Sequence, residues 1–125
     1  MTSKYYNKKT AIDGKVFDSR KEGEYYRILK QRRKLGQIKS FTCQPEFVLQ
    51  GGFGPKGARI RAIKYFADFE VRHNDGSIEI VDVKGIETDV FKIKWKILKY
   101  IYRDTKNVKF LIWPVKKRKK RRKKA

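Results

Sequence analysis

The sequence predicts an α/β protein, and three observations predict it. Asp13-Gly14 stands between the short apolar runs Ala11-Ile12 and Val16-Phe17, the signal of a tight β-hairpin. Ser19-Arg20-Lys21-Glu22 has the form of a capping box, Ser at the N-cap and Glu three residues on, so a helix opens there. Ile78–Gly85 is a β-branched run ending in glycine and reads as a strand. Extended along the chain, the pattern is hairpin, helix, three strands, helix, strand.

The first helix runs from Ser19 to about Leu35, where Gly36 supplies the stop. At about 100° per residue, Tyr25, Tyr26 and Leu29 lie within roughly 60° of Glu22, while Glu24 points nearly opposite. Arg27, Lys30, Arg32, Arg33 and Lys34 make much of this helix basic, either a solvated face or a DNA contact. Ile38 to Leu49 is extended, with a bend or edge position at Gln44-Pro45. Residues 50–57 form a glycine-rich loop, long for a hairpin, read as a mobile connector. Ile60 to Val71 reads as one strand, with Ile63, Tyr65, Ala67, Phe69 and Val71 on one face and Lys64, Phe66, Asp68 and Glu70 on the other. His73–Ser77 turns the chain into the Ile78 strand, which makes the strands of Asp68 and Asp82 hairpin neighbours. Asp89 to Tyr102 fits two periods. Phe91–Ile97 alternates like a strand, yet Val90, Ile93, Ile97, Leu98 and Ile101 make a helical stripe that Thr88 or Asp89 can cap; its length decides for a helix. Val108–Trp113 is a last strand ended by Pro114.

Charge narrows the function. The 125 residues suffice for one domain, read as 1–115, and carry a net charge of +21. Lys116 to Lys124 is an unbroken basic run of nine, and removing it still leaves +12. The body is therefore basic in its own right, which points to a polyanion, nucleic acid first. Residues 116–125 read as a disordered basic tail in which Lys116, Lys117, Arg118, Lys119, Lys120, Arg121 and Arg122 would contact nucleic acid. One cysteine allows no intrachain disulfide, and one cysteine with one histidine cannot build a usual zinc site. Cys43 reads as a packing residue and His73 as an exposed loop residue. There is no phosphate-cradling GxxxxGK[ST] loop. Neither a secretory leader nor a long apolar run is apparent, so an intracellular, cytoplasmic protein is expected.

Asp82 and Lys84 share one face of their strand. An ion pair or a solvated face would explain them; so would half of a metal-dependent hydrolytic site. Asp68 is a carboxylate among aromatics, to be paired or coordinated if buried. Glu22 is either a capping residue alone or, on its aromatic face, available for a second role.

Ala67-Asp68 followed some fourteen residues later by Asp82-Val83-Lys84, with a helical Glu22 upstream, resembles the PD-(D/E)XK nuclease signature, with alanine in place of its proline. The chain resembles more closely a family of small phage-encoded proteins of that superfamily. The matching residues are Tyr5-Tyr6-Asn7-Lys8, Phe17-Asp18-Ser19 with Glu22, Gln44-Pro45, Tyr65 with Ala67-Asp68-Phe69, Asp82–Gly85, and Thr88-Asp89 with Phe91-Lys92. The Ser-x-x-Glu helix opening resembles that of the nuclease subunit of Tn7-like transposases, and size and basicity resemble those of Holliday-junction resolvases. The resemblance implies a restriction-endonuclease-like core, αβββαβ, with a mixed central sheet flanked by helices.

It also implies a mechanism. Asp68 and Asp82, with the Val83 carbonyl and Glu22, would hold Mg²⁺, with Mn²⁺ substituting. The ion would lower the pKa of a bound water and stabilise charge on the scissile phosphate. Lys84 would orient that water, and Lys92 and Lys94 would contact phosphates. Three functions follow: a homodimeric junction-specific endonuclease, a nicking or end-processing nuclease of the same fold, and a non-catalytic DNA-binding protein.

Overall fold

The computed structural model describes residues 10–55, 60–84 and 86–115. A hairpin of β1 (Thr10–Ile12) and β2 (Lys15–Phe17) precedes α1 (Arg20–Lys34). Four strands follow: β3 (Ser40–Cys43), β4 (Glu46–Gln50), β5 (Ile63–Phe66) and β6 (Phe69–Arg72). Then come β7 (Ile78–Val83), α2 (Asp89–Ile101) and β8 (Val108–Trp113). Among the described residues the largest sheet has the order β3-β6-β7-β8. β3, β6 and β7 are antiparallel neighbours, whereas β7 and β8 run parallel through α2, so the fold is α/β with a mixed sheet.

Local chemistry accounts for the elements. Asp13 and Gly14 both take positive φ, 53° and 75°, as a two-residue primed turn requires. Ser19 caps α1, its hydroxyl accepting from the Glu22 N–H at 3.1 Å. Arg32, Arg33 and Lys34 in the last turn face the negative end of the helix dipole, and Gly36 at φ 73° ends the helix. Thr88 caps α2 in the same way, at 3.1 Å from the Phe91 N–H. The helical reading of 89–102 holds because Phe91, Trp95 and Leu98, spaced at one face of a helix, are the residues it buries.

Two expectations are corrected. Residues 38–49 and 60–71 are not one strand each. They form a long antiparallel hairpin creased across both strands, with β3 pairing β6 below the crease and β4 pairing β5 above it. The crease lies at Gln44-Pro45 on one strand and Ala67-Asp68 on the other. The Gln44 N–H donates to Asp68 O (2.8 Å) and the Ala67 N–H to Pro45 O (3.2 Å). Gln44 has φ 52° and Pro45 has no N–H, so no flat ladder can continue through them. The bend also resets side-chain parity. Tyr65 and Ala67 pack in one core, Phe69 and Val71 in the other, and the single face expected for Ile63–Val71 does not exist.

Those two cores lie on either side of the central sheet. α1 and the first hairpin cover one face with Phe17, Tyr25, Tyr26 and Leu29 against Phe69, Val71, Val81 and Val83. α2 and the β4–β5 arm cover the other, where Tyr65, Ala67, Ile80, Phe91, Trp95 and Leu98 meet. β7, buried on both faces, is the shared wall. Cys43 packs at the margin of the first core, as expected. His73 does not match its expected exposure: it is half-buried, with its Nε2 3.1 Å from Glu79 Oε1. No helix among the described residues is long and apolar enough to cross a membrane. Residues 1–9, 56–59, Gly85 and 116–125 lie outside the description, and with them the predicted tail and its contacts from Lys116 to Arg122.

Candidate active site

The crease and the end of β7 place the acids. Asp68 sits at the crease, its N–H donating to Val81 O at 3.1 Å and its Oδ2 accepting from the Val83 N–H at 2.6 Å. One hydrogen bond thus ties the Asp68 carboxylate to the residue between Asp82 and Lys84. Asp82 is 1% exposed. Its Oδ2 accepts from the Tyr65 hydroxyl. Its Oδ1 has no hydrogen-bond donor, and the Lys84 ammonium stands 3.3 Å away as an ion pair. Lys84 Nζ also lies 4.7 Å from the centroid of the Phe91 ring, so α2 helps to hold it beside the carboxylate.

Glu22 reaches the same region from the start of α1, where its backbone is capped and its side chain is buried. Burial, then the charges of Asp68 and Asp18, push its carboxyl up to about 8. At neutral pH it is the protonated partner beside Asp68, and its side chain lowers the Asp68 carboxyl. Asp68 is itself raised by burial, an effect opposed by the Val83 N–H and Lys84. Burial pushes Asp82 up to about 6, against the pull of Lys84. Three carboxyls are thus drawn toward their neutral forms by a shared low-dielectric site, and one ammonium answers them.

The donor set is all oxygen, which suits a hard divalent cation, and the buried Asp82 Oδ1 makes no hydrogen bond beyond its ion pair with Lys84. The side chains as placed are not a finished coordination shell. Among the described residues no group of three or more His, Cys, Asp or Glu stands in metal-holding geometry. Asp82 Oδ2 is engaged by Tyr65 and Asp68 Oδ2 by Val83.

Of the other expected site residues, Lys92 is exposed on α2, and Lys94 is half-buried with its ammonium donating to Lys64 O at 3.0 Å. Two residues were missed. Tyr65 falls in the apolar row of its strand and within a matching motif without a role, and only the fold brings its hydroxyl to Asp82. Asp18, whose charge raises both Glu22 and Asp68, was quoted within a motif but given no role, since it falls between elements where periodicity is silent.

Fold and site together define an α/β protein with a buried acid–lysine cluster at the end of an interior strand of a mixed sheet. The chain belongs to the family described as Protein of unknown function (DUF1064), whose model matches residues 2–121. No curated protein and no solved structure matches it.

Proposed function

We propose that this chain is a magnesium-dependent endodeoxyribonuclease with a restriction-endonuclease-like core, acting as a homodimer on branched DNA such as a Holliday junction. The observation that carries the reading is the approach of Glu22 on α1 and Asp68 at the crease to Asp82 on β7, beside Lys84. The carboxyls are held toward neutrality, and one buried oxygen lacks a donor. Such a cluster is what a hard cation would relieve. Asp68 and Asp82 would hold the ion, with Glu22 and the Val83 carbonyl in support, and the ion would supply an activated water and charge stabilisation at phosphorus. Lys84, fixed by Asp82 and Phe91, would orient the nucleophile and meet charge developing on the phosphate. Cutting two strands symmetrically needs two such sites, which a twofold dimer provides. The net charge of +21 supports a DNA substrate.

A second reading has its own observation. Asp82 is already engaged by Tyr65 and Lys84, and no metal-holding group is formed, as in a buried structural ion pair on a non-catalytic DNA-binding protein. Incubation with a labelled four-way junction and a linear duplex, with and without Mg²⁺, separates the readings. Paired nicks confined to the junction support the resolvase. Equal cutting of both substrates selects nicking or end processing, and binding without cleavage in Mg²⁺ and Mn²⁺ selects the second reading. Asp82→Asn keeps DNA binding and abolishes cleavage; cleavage by this variant removes Asp82 from its role.

A further inference from the structure

We infer that the groove between the first hairpin and α1 is a second DNA contact, one that grips the phosphate backbone away from the acid cluster. The inference rests on DNA as the partner but not on cleavage. The groove has a volume of about 760 Å³ and is walled by Ile12 and Asp13 on the hairpin and by Arg27, Lys30, Arg33 and Lys34 on the helix. Its single carboxylate is already taken. Asp13 accepts from Lys30 and, at 3.1 Å, from the Tyr26 hydroxyl, and these bonds hold it below the usual carboxylate range. Among the described residues Arg33 and Lys34 form no salt bridge, Arg27 acts on Asp13 only through its charge, and the Arg33 guanidinium is braced at 4.8 Å from the centroid of the Phe41 ring.

The layout selects an extended polyanion over a small anion. Arg27, Lys30, Gln31 and Lys34 fall within an arc of about 100° and are turned roughly 140° from the Tyr25–Tyr26–Leu29 face. Over the seven steps from Arg27 to Lys34 the helix rises about 10 Å. One DNA strand carries a charge about every 3.4 Å along the duplex axis, so the row faces on the order of three phosphates. A small anion would need donors converging on one point, whereas these are strung along a line. Arg27 in the row is a guanidinium, whose forked donors match phosphate oxygens.

The test measures binding of the full chain to a fluorescent duplex DNA in EDTA, by anisotropy, from 50 to 200 mM salt (on the order of the range where phosphate contacts dominate). The variant Arg27→Gln/Lys34→Gln keeps helix propensity and removes two charges. Lys99→Gln/Lys106→Gln, on the far side of the sheet, removes the same number. The groove variant is expected to lose about two from the slope of log K against log salt and to bind about tenfold or more weakly, the control far less. Gln31→Lys, adding a cation to the row, should steepen the slope by about one. Equal slopes for groove and control variants, or no duplex binding by the unaltered chain, overturn the inference. A failed catalytic reading shows differently: no cleavage in Mg²⁺ while the groove-dependent slope persists, which supports the groove.

Discussion

Glu22→Gln without metal isolates the strain that the acid cluster places on the fold. Glu22 is 8% exposed, and its carboxyl is raised from an ordinary 4.5 to about 8 by burial and by Asp68 and Asp18. Between those values the unfolded chain has released the proton and the folded chain keeps it. The folded state therefore binds more protons, and stability falls as pH rises through this window. At ~1.36 kcal/mol for each tenfold in proton affinity, the loss has an upper limit of about 5 kcal/mol by pH 8. Water entry and side-chain relaxation reduce it to a few kcal/mol, still a large part of the 5–15 kcal/mol (roughly) that holds a domain together. Asp82, raised from 3.8 to about 6, adds a slope of the same sign at lower pH. Glutamine keeps the shape and the donor toward Asp68 but cannot ionise. In EDTA, urea unfolding followed by tryptophan fluorescence should place the variant within ~1 kcal/mol of the parent at pH 5 and make it more stable by about 2–5 kcal/mol at pH 8. A difference that stays constant to within about 0.5 kcal/mol from pH 5 to 8 refutes the reasoning.

Other perturbations read neighbouring parts of the molecule. Under the proposed function, Mg²⁺ at a hundred times its Kd should stabilise the fold by ~2.7 kcal/mol. The gain should grow from pH 5 to 8 as the ion displaces protons and should vanish in Asp82→Asn; a scanning thermal melt checks this. Tyr65→Phe strips the donor from a buried carboxylate oxygen and should cost about 1–3 kcal/mol in urea unfolding, more above pH 6, where Asp82 is ionised, than below it. Leu29→Ala, at a site with no exposure beneath the first sheet face, should cost about 2–5 kcal/mol in the same assay.

The sequence alone determined what short-range chemistry controls. Asp13-Gly14 specified a primed turn because two adjacent residues tolerate positive φ. Ser19 and Thr88 specified helix starts because a hydroxyl satisfies an N–H three residues on. The acids at 22, 68 and 82 were legible as candidates because a carboxylate amid aromatic or β-branched residues needs a partner. Only the tertiary structure decided the crease. One positive φ at Gln44 and a proline beside it could have been a local kink, and it took the opposing break at Ala67-Asp68 to turn two strands into two sheet arms. From that crease follow the Tyr65 hydroxyl on Asp82 and Asp68 under the Val83 N–H. The groove likewise exists only once the hairpin, with Ile12 and Asp13, folds against the basic row of α1. Turns and caps are settled within four residues of chain. A buried site joins groups from distant elements, and their distances and shared dielectric are properties of packing that no local pattern carries.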